Sequence, residues 1–128
     1  MYNLAPATVL LMGIMISATA QAQATSFVCN FDTECSQRTG CSTKELSLTF
    51  FVDEQGQAYM QGNVDFVQVM PLVGEDAISF VEPAGSGVVQ STSVLNEGQA
   101  VHSRHTAFQG EFVTSQWHGQ CAMYGGKN

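Results

Sequence analysis

From Leu46 to Val52 the chain alternates. Leu46, Leu48, Phe50 and Val52 fall on one face, Ser47 and Thr49 on the other, and Phe51 is out of step. A period of two is that of a strand with one face buried. Ser42-Thr43-Lys44-Glu45 has the form of a helix capping box, but the alternation behind it assigns the stretch to a strand. Turn signals follow at short intervals: Asp53-Glu54-Gln55-Gly56, Gly62-Asn63, Pro71 to Asp76, Pro83 to Gly87, Asn96-Glu97-Gly98 and Gln109-Gly110. The runs between them are short and rich in Val, Phe, Thr and Ser. With Ser26–Phe31 as the first strand, the pattern predicts about eight strands and no amphipathic helix. Sequential hairpins without long crossovers make an up-and-down meander. With an even strand number the first and last strands can pair antiparallel, and closure removes the exposed edges. The expected fold is therefore all-β: a small antiparallel meander, closed or nearly closed into a barrel and stapled by disulfides. Tyr124 to Asn128 is expected to fray.

The first two dozen residues differ. Met1 to Ala24 carries no charged side chain, Leu4 to Ala20 is almost continuously apolar, and Ala22-Gln23-Ala24 is a small-x-small cleavage pattern. Residues 1–24 read as a signal peptide and residues 25–128 as a single β-barrel-like domain beginning at Thr25. The apolar stretch is short for a span and lacks basic flanks, so no stable membrane span is expected after cleavage. The first cysteine, Cys29, follows Ser26-Phe27-Val28 rather than a lipobox. A periplasmic or secreted bacterial protein is the expectation.

Composition narrows the function. The formal charge of −7 lacks the basic footprint that nucleic-acid binding requires. Hydrophobic residues make up 45% and charged residues 12%, so the chain has the means to bury a core and is not an acidic disordered tail. Cys29, Cys35, Cys41 and Cys121 read as two disulfides in a small exported domain. Their spacing fits neither a Cys-x-x-Cys redox pair nor a paired zinc motif. Three pairings are open to four cysteines. A closed barrel favours Cys29–Cys121, joining the first strand to the last, with Cys35–Cys41 closing a loop from Asp32 to Thr43.

Candidate chemistry concentrates in Val101-His102-Ser103-Arg104-His105-Thr106 and Thr114-Ser115-Gln116-Trp117-His118. If Gln109-Gly110 is a two-residue hairpin loop, Phe108 faces Glu111, Arg104 faces Ser115 and His102 faces Trp117. His102 then points away from His105 and His118, which share a face but lie four residues apart along it, so no metal site is expected. Trp117 and Cys121 favour burial, which puts His102 and Arg104 inside or at a barrel mouth. A buried Arg104 needs a partner, and Glu82 is the candidate. His102, Arg104, Ser115, Trp117 and Glu82 are thus the candidate ligand-binding or partner-binding residues. A hollow interior near them would make the protein a small-ligand barrel. A solid cluster of Leu48, Phe50, Phe66, Ile78, Phe80 and Trp117 would make it a packed domain that binds with its surface. No Gly-x-Ser-x-Gly elbow is present, Gly85-Ser86-Gly87 is a turn without a phosphate-binding Lys, and Asp53-Glu54-Gln55-Gly56 lacks calcium-loop spacing. Glu75-Asp76 reads as a solvated turn rather than half of a catalytic carboxylate pair. The expectation is a non-enzyme without catalytic residues, metal or cofactor.

Phe27-Val28-Cys29 at the start of the domain, Ser86-Gly87 in a mid-chain turn and Gly119-Gln120-Cys121 near the end together resemble the plan of small periplasmic β-barrels of the c-type lysozyme inhibitor kind. That family opens on an aromatic-x-Cys, carries a Ser-Gly loop and has a late Cys. Its inhibitory loop has further serines before the Gly and an aromatic after it; Pro83 to Val89 here has neither, so Ser86 alone is carried over as a partner-contact residue. The resemblance implies a barrel that binds a basic secreted hydrolase such as lysozyme. The acidic charge is compatible with a basic protein partner.

Overall fold

A computed structural model describes residues 14–15, 24–63, 66–83 and 87–125. Ser86 and all of the expected leader except Ile14, Met15 and Ala24 lie outside the described residues. Eight strands follow one another: β1 (Thr25–Ser36), β2 (Gly40–Val52), β3 (Ala58–Gln61), β4 (Phe66–Val73), β5 (Ala77–Pro83), β6 (Val89–Leu95), β7 (Gln99–Phe108) and β8 (Glu111–Gly125). Each pairs antiparallel with the next, and β8 pairs antiparallel with β1, so the sheet closes into a barrel. The meander and its closure are those the turn spacing predicts.

Closure depends on a local irregularity. β1 and β8 pair with Phe31 opposite Gly119 and then Thr33 opposite His118, so Asp32 is an extra residue bulged out of the ladder. Gly119 permits the close approach there: a Cβ at this position would fall on the backbone of Asn30 and Phe31. Two rungs away, Cys29 faces Cys121, and the two are bonded. The second disulfide joins Cys35 to Cys41.

The interior is solid at its centre. The inward positions of neighbouring strands place Phe27, Phe31, Leu48, Phe50, Met60, Val69, Phe80 and Val94 in one buried cluster. Phe50 stacks on Phe80 with ring centroids 4.4 Å apart, and Phe27 meets Phe80 edge-on at 5.5 Å. Ile78 and Trp117 pack against this cluster. An eight-stranded barrel has an interior just wide enough for such side chains to fill.

Four details depart from the sequence reading. The segment from Asp32 to Thr43 is strand for most of its length, because β1 runs on to Ser36 and Cys35 faces Cys41 across the hairpin. Pro71 to Val73 belongs to β4, and the turn begins at Gly74. Tyr124 is paired with Ser26 rather than frayed, since β1 begins early enough to give it a partner. Phe66 is 61% exposed and lies outside the core. Val67 and Val69 take the inward positions of β4, so Phe66 points outward and stacks on Tyr59 at 5.2 Å.

The disulfides close loops of very different length, with sequence separations of 92 and 6. On the chain-entropy model they restrict the unfolded chain by about 4.7 and about 2.4 kcal/mol respectively. Urea unfolding of Cys29→Ala/Cys121→Ala and Cys35→Ala/Cys41→Ala should therefore show the first pair losing about twice as much stability as the second. Equal losses would contradict this account of closure.

Candidate functional site

Alternating connections divide the barrel into two ends. The β1–β2, β5–β6 and β7–β8 connections mark an upper mouth; the β2–β3, β4–β5 and β6–β7 turns mark a lower one. The candidate residues belong to the upper half. Gln109 and Gly110 both have positive φ, 51° and 79°, as a two-residue primed hairpin turn requires. This turn sets the register: Phe108 faces Glu111, Arg104 faces Ser115 and His102 faces Trp117.

His102 is 3% exposed and fully inside the wall. Its Nδ1 lies 2.7 Å from Oγ1 of buried Thr92, its register partner on β6, so the polar ring atom is satisfied within the core. The Phe31 ring sits 5.9 Å away. Burial, reinforced by the positive charge of Arg104, pulls the imidazole pKa from 6.5 down to about 4. The ring is therefore neutral at physiological pH.

Arg104 shares the inward register but lies nearer the mouth and is exposed, and Ser115 beside it is half-buried. The expected Glu82–Arg104 pair does not form. Gln90 stands between them, facing Glu82 on one side and Arg104 on the other, so they are two strand spacings apart, roughly 10 Å. Glu82 keeps one buried carboxylate oxygen, Oε2, without a hydrogen-bond partner among the described residues. Trp117 instead meets Lys44, whose Nζ is 5.9 Å from the indole centroid and 2.7 Å from Oε2 of Glu34. Lys44 and Glu34 escaped the sequence reading. No sequence signal marks them, because the register depends on the bulge: with Asp32 displaced, Glu34 falls opposite Trp117. His105 and His118 lie opposite Thr114 and Val101, away from His102 and from each other.

The lower mouth has a different character. Asp53 and Glu54 occupy its first turn, Glu75 and Asp76 its second and Glu97 its third. No Lys or Arg accompanies them among the described residues; Arg38, Lys44 and Arg104 all belong to the upper half. A cavity of about 500 Å³ opens beside the second and third of these turns, with Glu97 in its lining.

Comparisons with protein-family models, with curated proteins and with solved structures found no match. Among the described residues no three His, Cys, Asp or Glu side chains come together to hold a metal ion, and no helix is long and apolar enough to cross a membrane.

His102 generates a pH prediction. Its folded-state pKa is depressed, so the unfolded chain binds the proton more readily, and the native state has its full stability above pH 6.5. Stability should fall as pH drops from 6.5 towards 4, by roughly 3 kcal/mol in all. Urea midpoints across this window should show the loss in the wild type and a smaller one in His102→Gln. An NMR titration placing His102 near pH 6.5 would contradict it.

Proposed function

We propose that this protein is an exported, non-catalytic binding domain of the bacterial periplasm that engages a basic protein partner through its lower mouth. Two disulfides in so small a β-barrel fit an oxidising, exported setting. The observation that carries the partner reading is the segregation of charge: five carboxylates on three adjacent turns, with every described Lys and Arg towards the other end. An end whose described charges are all negative, on a domain of charge −7, steers oppositely charged proteins into encounter. The non-catalytic reading is supported by His102, which is sealed in the wall against Thr92 with its proton affinity reduced. A basic secreted hydrolase of the c-type lysozyme kind is the partner to try first, given the resemblance in the placement of Phe27, Cys29, Ser86 and Cys121.

The test is association kinetics of the oxidised protein with a c-type lysozyme, together with the lysozyme's hydrolytic rate. The expected result is inhibition, with an on-rate that falls about tenfold or more from low to high salt and comparably in Glu75→Gln/Asp76→Asn/Glu97→Gln. Absence of binding overturns the lysozyme assignment alone. The wider reading is tested by cross-linking in the exporting cell: a captured acidic partner, or capture unchanged by the triple substitution, overturns it.

A further inference from the structure

The lower mouth is also a pocket. Its cavity of about 500 Å³ lies within the range of small-molecule sites. Phe27 lines it and separates it from the packed core, through its edge-on contact with Phe80. Ile78 and Val94 form the wall, and Val73, Leu95 and Met123 reach the rim. Those rim side chains are apolar yet in water: Val73 is 80% exposed and Met123 64%. An open apolar lining with an exposed apolar rim marks a surface that gains by being covered.

The groups around the cavity select what covers it. Glu97 lines it directly, and Glu75 and Asp76 belong to the neighbouring turn. The two turns are tied together, because Asn96 donates from its backbone N to the Asp76 carbonyl at 3.1 Å and from Nδ2 to the Glu75 carbonyl at 3.1 Å. Glu97 is thereby held at an apolar hole with the Glu75-Asp76 turn tied beside it, and among the described residues no Lys or Arg lies on the flanking strands to balance them. A second copy would bring like charge against like. An anionic amphiphile would set its head group among carboxylates. An aliphatic chain with a positive head satisfies both halves of the site.

We propose that the apolar cavity in the lower mouth, lined by Phe27, Ile78, Val94 and Met123 and collared by Glu75, Asp76 and Glu97, binds a single-chain cationic amphiphile. The chain enters the barrel mouth and the head stays at the rim among the carboxylates. This goes beyond the partner reading and stands without it, since a small ligand needs the hole and a steered protein needs only the field.

Calorimetry of the oxidised protein tests it, with decyltrimethylammonium below its micelle concentration as the probe. The expected result is saturable one-to-one binding with the near-ultraviolet dichroism of the folded protein retained. Octyltrimethylammonium should bind about 15-fold more weakly, since two buried methylenes are lost. Decyl sulfate should bind at least about tenfold more weakly than the cation because its head meets the collar. Val94→Phe fills the cavity and should weaken decyltrimethylammonium binding. Met123→Lys sets a cation at the exposed rim, where the fold does not depend on it, and should weaken binding likewise. Equal binding of decyl sulfate, indifference to chain length, or full binding by both variants would overturn the proposal, as would uptake only with loss of the folded spectrum. A c-type lysozyme association that survives Val94→Phe would leave the partner reading intact while this site failed.

Discussion

The return of β8 to β1 is the constraint on which the rest of the structure depends. A meander of eight strands has two free edges until its ends meet, and each edge presents a row of unpaired peptide groups. Here the two ends meet over the full length of β1, from Thr25 opposite Gly125 to Ser36 opposite Ser115. Cys29 and Cys121 bond across that seam, and Gly119 clears the space in which the β1 backbone bulges at Asp32. The bulge is more than an accommodation. It moves the remainder of β1 by one residue relative to β8, and so brings Glu34, the ion-pair partner of Lys44, opposite Trp117. A defect in the ladder thus decides which charged groups furnish the upper mouth.

Closure also sets the state of the most conspicuous polar residue of the interior. Eight strands leave an interior that side chains can fill. Phe27, Phe50 and Phe80 fill its middle, and His102 lies against Phe31 at the edge of that cluster. A histidine there can be accommodated only neutral and hydrogen-bonded. Thr92 supplies the bond, and the desolvated surroundings with Arg104 nearby keep the ring uncharged.

What could be read from the sequence follows from how far each signal reaches. Gln109-Gly110 is a local signal, and it correctly gives the whole β7–β8 register, including His102 opposite Trp117. Strand alternation likewise separates His102 from His105 and His118. The cysteine pairing could be favoured over its two alternatives because an even number of strands lets the first and last pair antiparallel, and closure then sets Cys29 beside Cys121. Errors occur where alternation must be anchored to a core that the sequence does not show. Phe66 is as apolar as a core residue, but Val67 and Val69 hold the inward positions. Arg104 and Glu82 do share the inward register, yet two strands separate them and Gln90 intervenes. A bulge leaves no signature in composition, so neither the extension of β1 beyond Phe31 nor the Glu34–Lys44–Trp117 group could be foreseen.

The same topology turns sequence position into surface charge. In an up-and-down barrel successive connections alternate between the two ends, so every second turn of the chain meets at one mouth. Asp53-Glu54, Glu75-Asp76 and Glu97 are acidic turns about 20 residues apart, a spacing close to two strands and their connections. Each by itself is an ordinary solvated turn. Closure places them around one opening, while Arg38, Lys44 and Arg104 lie on elements directed to the other. A closed wall offers no strand edge for a partner to extend, so recognition falls to the mouths and the outer face. Of the two mouths, the upper has its cations interleaved with Glu34 and Glu111, each within 4 Å of a Lys or Arg nitrogen. Among the described residues the lower has carboxylates and no Lys or Arg beside an open apolar lining, and a one-signed field over a low-dielectric surface is the stronger selector of what binds.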